Sequence, residues 1–148
     1  MSEAFKLSIL VSLIMFFYAF TARANYFHDV EVLRVIDGDT ISVTIPNLPD
    51  VFGKKISVRL AGIDTPEIRG KCAYEKEMAR KAKDRTEGII MKGDIISLGN
   101  VKRDKYFRLL ADVLVDSENV SAALVKEGLA VTYSGGRKKD WCSYRKIR

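Results

Sequence analysis

Four carboxylates fall in two short stretches of this sequence: Asp37 and Asp39 on either side of Gly38, and Asp64 and Glu67 on either side of Thr65-Pro66. A hard divalent cation such as calcium takes about six to eight oxygens from carboxylates, carbonyls and water, so the two stretches together could build a cation site. Pro66 biases Thr65 toward extended backbone, which leaves the Thr65 carbonyl outside any helix. Either stretch alone also reads as ordinary turn chemistry, since aspartate before glycine is common in hairpins. Two arginines complete the set. Arg59 precedes the second stretch and Arg108 lies far downstream, and each presents a planar fork of donors matched to phosphate or carboxylate oxygens. Their bland reading is surface ion pairing. Hydrolysis of a phosphodiester needs a positioned water, a base for its proton, and positive charge where the phosphorane gathers negative charge. Glu67 as base, a cation on the aspartates as Lewis acid, and Arg59 with Arg108 as donors supply each of these.

Composition removes other chemistries. His28 is the single histidine and Cys72 and Cys142 are the only cysteines, which argues against a four-ligand zinc site, a Ser-His-Asp triad and a two-histidine ribonuclease mechanism. The formal net charge of +6 favours polyanionic partners such as nucleic acid.

The elements that must position these residues are legible from periodicity. Val30, Val32 and Ile36, then Ile41, Val43 and Ile45, alternate around the Asp37-Gly38-Asp39 turn as a hairpin. Ile56, Val58 and Leu60 form the apolar face of a third strand, so Arg59 points away from it. Tyr74, Met78, Ala82 and Ile89 repeat near the helical period and predict a helix ending near 91–93. A fourth strand is predicted over 95–101, a charged turn over 102–105, and a fifth strand from Phe107 to Val115, with Arg108 opposite the face of Phe107 and Leu109. Asn119 reads as the N-cap and Gly128 as the stop of a short helix. The order predicts an α+β, mainly β domain: a five-stranded OB-fold barrel with two or three packed helices.

Read together, Val35-Ile36-Asp37-Gly38-Asp39-Thr40, then Val58-Arg59-Leu60-Ala61-Gly62-Ile63-Asp64-Thr65-Pro66-Glu67, then Asp104-Lys105-Tyr106-Phe107-Arg108 closely resemble the staphylococcal nuclease (thermonuclease) family. Glu127-Gly128-Leu129-Ala130 is similar to the family's closing helix, so the resemblance covers roughly residues 30–133. It implies an OB-fold, calcium-dependent nuclease, with Ca2+ held by Asp39, Asp64 and the Thr65 carbonyl. Glu67 would be the general base, and Arg59 and Arg108 would act on the scissile phosphate. Lys105, Tyr106 and Tyr133 would contact the phosphates and sugar of DNA and RNA substrates. Water would attack phosphorus and the 5′ oxygen would leave, giving 3′-phosphate ends. The alternative is a non-catalytic OB-fold module that binds nucleic acid or protein; the presence of Arg59, Glu67 and Arg108 beside the aspartates favours the enzyme. The sequence departs from the family pattern at Phe107, where glycine is common, and in a short tail after Tyr133.

Residues 1–24 read as a signal peptide, with Lys6, an apolar run from Leu7 to Phe20, and Ala22-Arg23-Ala24 as the cleavage signal. The expectation is therefore an exported monomer, periplasmic or secreted and with no permanent membrane anchor, whose working domain is 25–148. In an oxidising compartment Cys72 and Cys142 either pair, pinning the tail, or remain free and buried. The basic tail from Arg137 to Arg148 reads as a solvated face.

Overall fold

The structure is a computed structural model that describes residues 25–104 and 106–143. The expected signal peptide, Lys105 and the last five residues lie outside the described residues. Alternation of β-branched residues builds the predicted hairpin, β1 (Glu31–Asp37) and β2 (Thr40–Thr44), antiparallel with Asp37 opposite Thr40. Val35, Ile41 and Val43 turn inward from it and are buried. After the Pro46–Pro49 break comes a single helical turn, α1 (Asp50–Gly53), which no periodicity announced. β3 (Ile56–Leu60) then pairs with β2 and places Arg59 opposite Thr40.

Past the sharp turn at Gly62, where φ is +77°, the two-residue strand β4 (Ile63–Asp64) leads to α2 (Ala73–Ile90). The predicted helix is present, but its buried stripe is Glu75, Ala79, Ala82, Thr86 and Ile89, with Tyr74 and Met78 on its flank. Small residues on that stripe let the helix approach the barrel closely. β5 (Ile96–Arg103) runs two residues beyond the expected end. β6 (Leu109–Val115) starts two residues later than expected, because Phe107 has φ of 64° and belongs to the turn. β7 (Glu118–Asn119) returns along β6, and Asn119 caps α3 (Val120–Lys126) by accepting from Ala122 N at 3.0 Å. Gly128, at φ of 71°, ends that helix as its sequence predicted. β8 (Val131–Thr132) pairs with β4.

The main sheet has the order β1-β2-β3-β6-β5, with β3 and β6 parallel and the other neighbours antiparallel. It curls until the segment before β1 bonds to β5, through Phe27 N to Leu98 O at 2.9 Å, Leu98 N to Phe27 O at 2.8 Å and Val30 N to Ile96 O at 2.9 Å. This is the expected five-stranded OB-type barrel with packed helices. Its interior is filled by Ile41, Val43, Val58, Leu60, Leu98, Val113, Val120 and Leu124, all fully buried. Among the described residues no helix is long and apolar enough to cross a membrane.

Candidate active site

The β1–β2 turn is fastened from behind. Thr86 on α2 donates its hydroxyl to the Gly38 carbonyl at 2.8 Å, out of water. A Cβ on Gly38 would stand 2.7 Å from the Ala82 Cβ and 3.0 Å from the Thr65 Cγ2, so glycine is needed there for close approach. Asp37 Oδ1 accepts from Asp39 N at 3.3 Å, an Asx-type closure of the same turn. Asp39 is thereby driven inward to 3 % exposure.

The second carboxylate arrives from a different element. β8 holds β4 in place and Tyr133 N donates to the Gly62 carbonyl at 2.8 Å, which fixes Asp64 at 1 % exposure. Arg59 reaches both acids: Nη1 lies 2.7 Å from Asp39 Oδ1 and Nη2 lies 3.6 Å from Asp64 Oδ1. Nη2 also donates to the Ile63 carbonyl at 3.3 Å. Thr65 is buried behind them, and its N–H donates to Asp39 Oδ2 at 3.4 Å. Glu67 follows at the rim, with a half-exposed side chain. Asp39, Arg59, Asp64, Thr65 and Glu67, five residues singled out in the sequence, therefore meet in one place.

The cluster sets three carboxylates, Asp39, Asp64 and Glu67, against two cations, Arg59 and Lys138. Burial, the largest influence, pushes the Asp39 carboxyl up to about 6, against the lowering effect of the Arg59 guanidinium and with a further push from the Asp37 charge. Asp64 Oδ1 is buried without a well-formed hydrogen bond, although Lys138 Nζ stands 3.0 Å away. That ammonium balances charge without the alignment of a hydrogen bond. Two buried carboxylates backed by one shared guanidinium suit a hard, oxygen-seeking divalent ion, and the donor set fits calcium.

Arg108 is placed at the mouth of the parallel β3–β6 pair, one residue before Leu109 takes its place opposite Val58. Its side chain is turned to its own loop. Nε and Nη2 both lie 2.8 Å from Asp104 Oδ2, and the guanidinium sits 5.6 Å from the Tyr106 ring centre. The structure thus brings Arg108 to the adjacent strand end but pairs it with Asp104 and not with the aspartate cluster. Asp104 also accepts from the N–H groups of Tyr106 and Arg108. Phe107 is 81 % exposed and faces outward, so its bulk does not obstruct the cluster. Tyr133 borders β4, and its hydroxyl donates to the Gly136 carbonyl at 2.9 Å.

Sequence reasoning missed Lys138. Its Nζ lies 2.6 Å from Glu67 Oε1 and 3.0 Å from Asp64 Oδ1. Burial works against its charge, but the contacts with Glu67 and Asp64 hold the ammonium above the usual lysine range. A basic tail carries no periodicity that would announce a single inward lysine. What places it is the Cys72–Cys142 disulfide, which the structure forms across a Cα separation of 6.0 Å, together with the buried Trp141.

Comparison with known proteins gives the same picture. Endonuclease YncB of Bacillus subtilis (strain 168) is 40% identical over 105 residues, covering 69% of this chain and 46% of that protein. A thermonuclease of Staphylococcus hyicus is 35% identical over 101 residues, covering 68% and 56%. An uncharacterized endonuclease of Haemophilus influenzae (strain ATCC 51907 / DSM 11121 / KW20 / Rd) is 28% identical over 125 residues, covering 84% and 64%. The chain thus spans about half the length of the curated relatives it matches. Residues 57–147, more than half of the chain, match the family described as staphylococcal nuclease homologue, and with β3, the aspartate cluster and the pinned tail all inside or against that span, the chain belongs to the staphylococcal nuclease family.

Proposed function

We propose that this protein is an exported, calcium-dependent nuclease that hydrolyses phosphodiester bonds in DNA and RNA, with the 5′ oxygen leaving to give 3′-phosphate ends. One observation carries the reading: Asp39 and Asp64, buried and delivered by separate elements, converge on Arg59 with Glu67 at the rim. Asp39, Asp64 and the Thr65 carbonyl would hold the ion. Bound there, calcium would supply Lewis-acid polarisation of a phosphoryl oxygen and of water.

The remaining work belongs to the chain. Glu67, half exposed and therefore wetted, takes the proton of the attacking water. Arg59 donates from the cluster to a phosphate oxygen as negative charge builds on it, and Arg108 donates from the neighbouring strand end. Lys105 and Tyr106, close to Arg108 in the sequence, and Tyr133, beside β4, contact the flanking phosphate and sugar. The basic composition supports a polyanionic substrate, and the names of the relatives support nuclease activity. The disulfide and the expected leader support export to an oxidising compartment, periplasm or medium.

The test is incubation of the purified chain with single-stranded DNA and RNA, with calcium or with a chelator, followed by end-group analysis. Cleavage that stops in chelator and leaves 3′-phosphates is expected; undiminished cleavage in chelator would sink the calcium reading. Glu67→Gln should lower turnover by about 10² to 10⁴, the range for loss of a positioned base.

A further inference from the structure

We infer that segment 134–142 is a pinned strap that carries the Lys138 ammonium into the carboxylate cluster as a tethered counter-ion, which a divalent cation must displace in order to bind. The inference rests on the calcium reading of Asp39 and Asp64 given above. One ammonium spans a proposed ligand and the proposed base, 3.0 Å from Asp64 Oδ1 and 2.6 Å from Glu67 Oε1. The oxygen it approaches on Asp64 is buried and has the Lys138 ammonium as its nearest charged neighbour, closer than the Arg59 guanidinium at 3.6 Å.

Both ends of the strap are fastened. Upstream, Tyr133 N is bonded to the Gly62 carbonyl at 2.8 Å and the Tyr133 hydroxyl to the Gly136 carbonyl at 2.9 Å. Gly135 and Gly136, at φ of 107° and 90°, fold the chain back over the site through backbone that other residues rarely adopt. Downstream, Trp141 is buried and Cys142 is bonded to Cys72, the N-cap of α2. Lys138 therefore stands only four residues from a covalent anchor, and a tether of that length holds a group at millimolar effective concentration or above. Yet the Lys138 side chain is itself 47% exposed, so it can leave the carboxylates without unfolding anything.

The consequence is a threshold. Calcium sees only the fraction of molecules whose lysine is withdrawn, and its apparent affinity is reduced by that fraction. A strap docked about nine-tenths of the time weakens apparent affinity about tenfold. An ammonium offers donors alone and one charge, so it balances the carboxylates in the metal-free protein but cannot gather the oxygens of a phosphate and a water around itself.

Two measurements on the full chain test this. Carbodiimide, a zero-length cross-linker, should join Lys138 to Glu67 in the calcium-free protein, read as one cross-linked peptide by mass spectrometry, and added calcium chloride should suppress it. Calorimetric titration with calcium chloride alone should give a Kd about tenfold lower for Lys138→Ala than for the parent. Cys142→Ser, which releases the strap while leaving the α2 cap intact, should move Kd the same way. No cross-link would overturn the docking of the strap. A cross-link with an unchanged or higher Kd in both variants would overturn the competition. A cross-link with no calcium binding by any of the three chains would overturn the calcium reading itself, and the competition with it.

Discussion

Arg59 and Arg108 are the same residue type in the same proposed role, yet their surroundings differ. Arg59 is nearly buried and is the cation paired with the buried Asp39, so Arg59→Ala leaves that charge uncompensated and should destabilise the metal-free fold by about 3 to 5 kcal/mol. Arg108 is about one-third exposed and pairs with Asp104 four residues earlier, so Arg108→Ala should change stability by less than about 1 kcal/mol. Denaturant unfolding of both variants separates the two cases; equal losses would contradict the placement. Asp39 adds a pH signature. Its folded carboxyl is pushed up to about 6 from an ordinary 3.8, chiefly by burial. Between those values the native state binds more protons than the unfolded chain, so metal-free stability falls as pH rises through the window and levels off above it. The contribution is on the order of 3 kcal/mol. Unfolding curves at pH 4 and pH 7 for the parent and Asp39→Asn check this, and an equal pH dependence in both would remove Asp39 as the cause.

At the scale of elements, the site is a product of how closely α2 meets the β1–β2 turn. Ala79, Ala82 and Thr86 give the helix a shallow face, and Gly38 has no side chain to keep it away. Gly38→Ala would force its Cβ to within 2.7 Å of the Ala82 Cβ, an overpacking expected to lower stability by about 1 to 3 kcal/mol. The same shift would move Asp39, so on the proposed calcium reading the affinity measured by calorimetry should fall along with the melting temperature. A variant that loses stability but keeps full affinity would show that the turn is not what aims the carboxylate. The departure at Phe107 also belongs to this scale. Its φ of 64° explains why glycine is common there in the family, since a left-handed residue suits glycine best. The aromatic side chain is accommodated because the turn aims it at solvent, where Arg103 lies 5.6 Å from the ring centre.

For the whole molecule, the disulfide joins the start of α2 to the tail and closes a loop of 70 residues that carries Arg108, Tyr133 and Lys138, while Asp39, Arg59, Asp64 and Glu67 precede it. The chain-entropy view values such a loop at about 4 kcal/mol. Reduction should therefore lower the denaturation midpoint substantially, and Cys142→Ser should mimic it; an unchanged midpoint would mean the barrel alone sets stability. The barrel core, built from strand, α2 and α3 residues, does not include the tail.

The sequence by itself determined the hairpin, the α2 and α3 segments, the Asn119 cap and the Gly128 stop, because periodicity and capping are local and each residue's neighbours in the chain carry the signal. It also determined the family, through three motifs in order, and the chemical identity of the cluster from Asp39 to Glu67. Only the tertiary structure decided which face of α2 is buried, since an amphipathic period fixes a stripe but several small residues can share it. Only the tertiary structure paired Arg108 with Asp104, ended β5 late, started β6 after Phe107 and formed the β4–β8 pair that seats Asp64. Strand partners and turn conformations depend on residues tens of positions away. The inward Lys138 is the extreme case: nothing near it in the chain distinguishes it from the lysines and arginines around it, and it reaches Asp64 and Glu67 because a disulfide and a buried tryptophan hold the tail against α2.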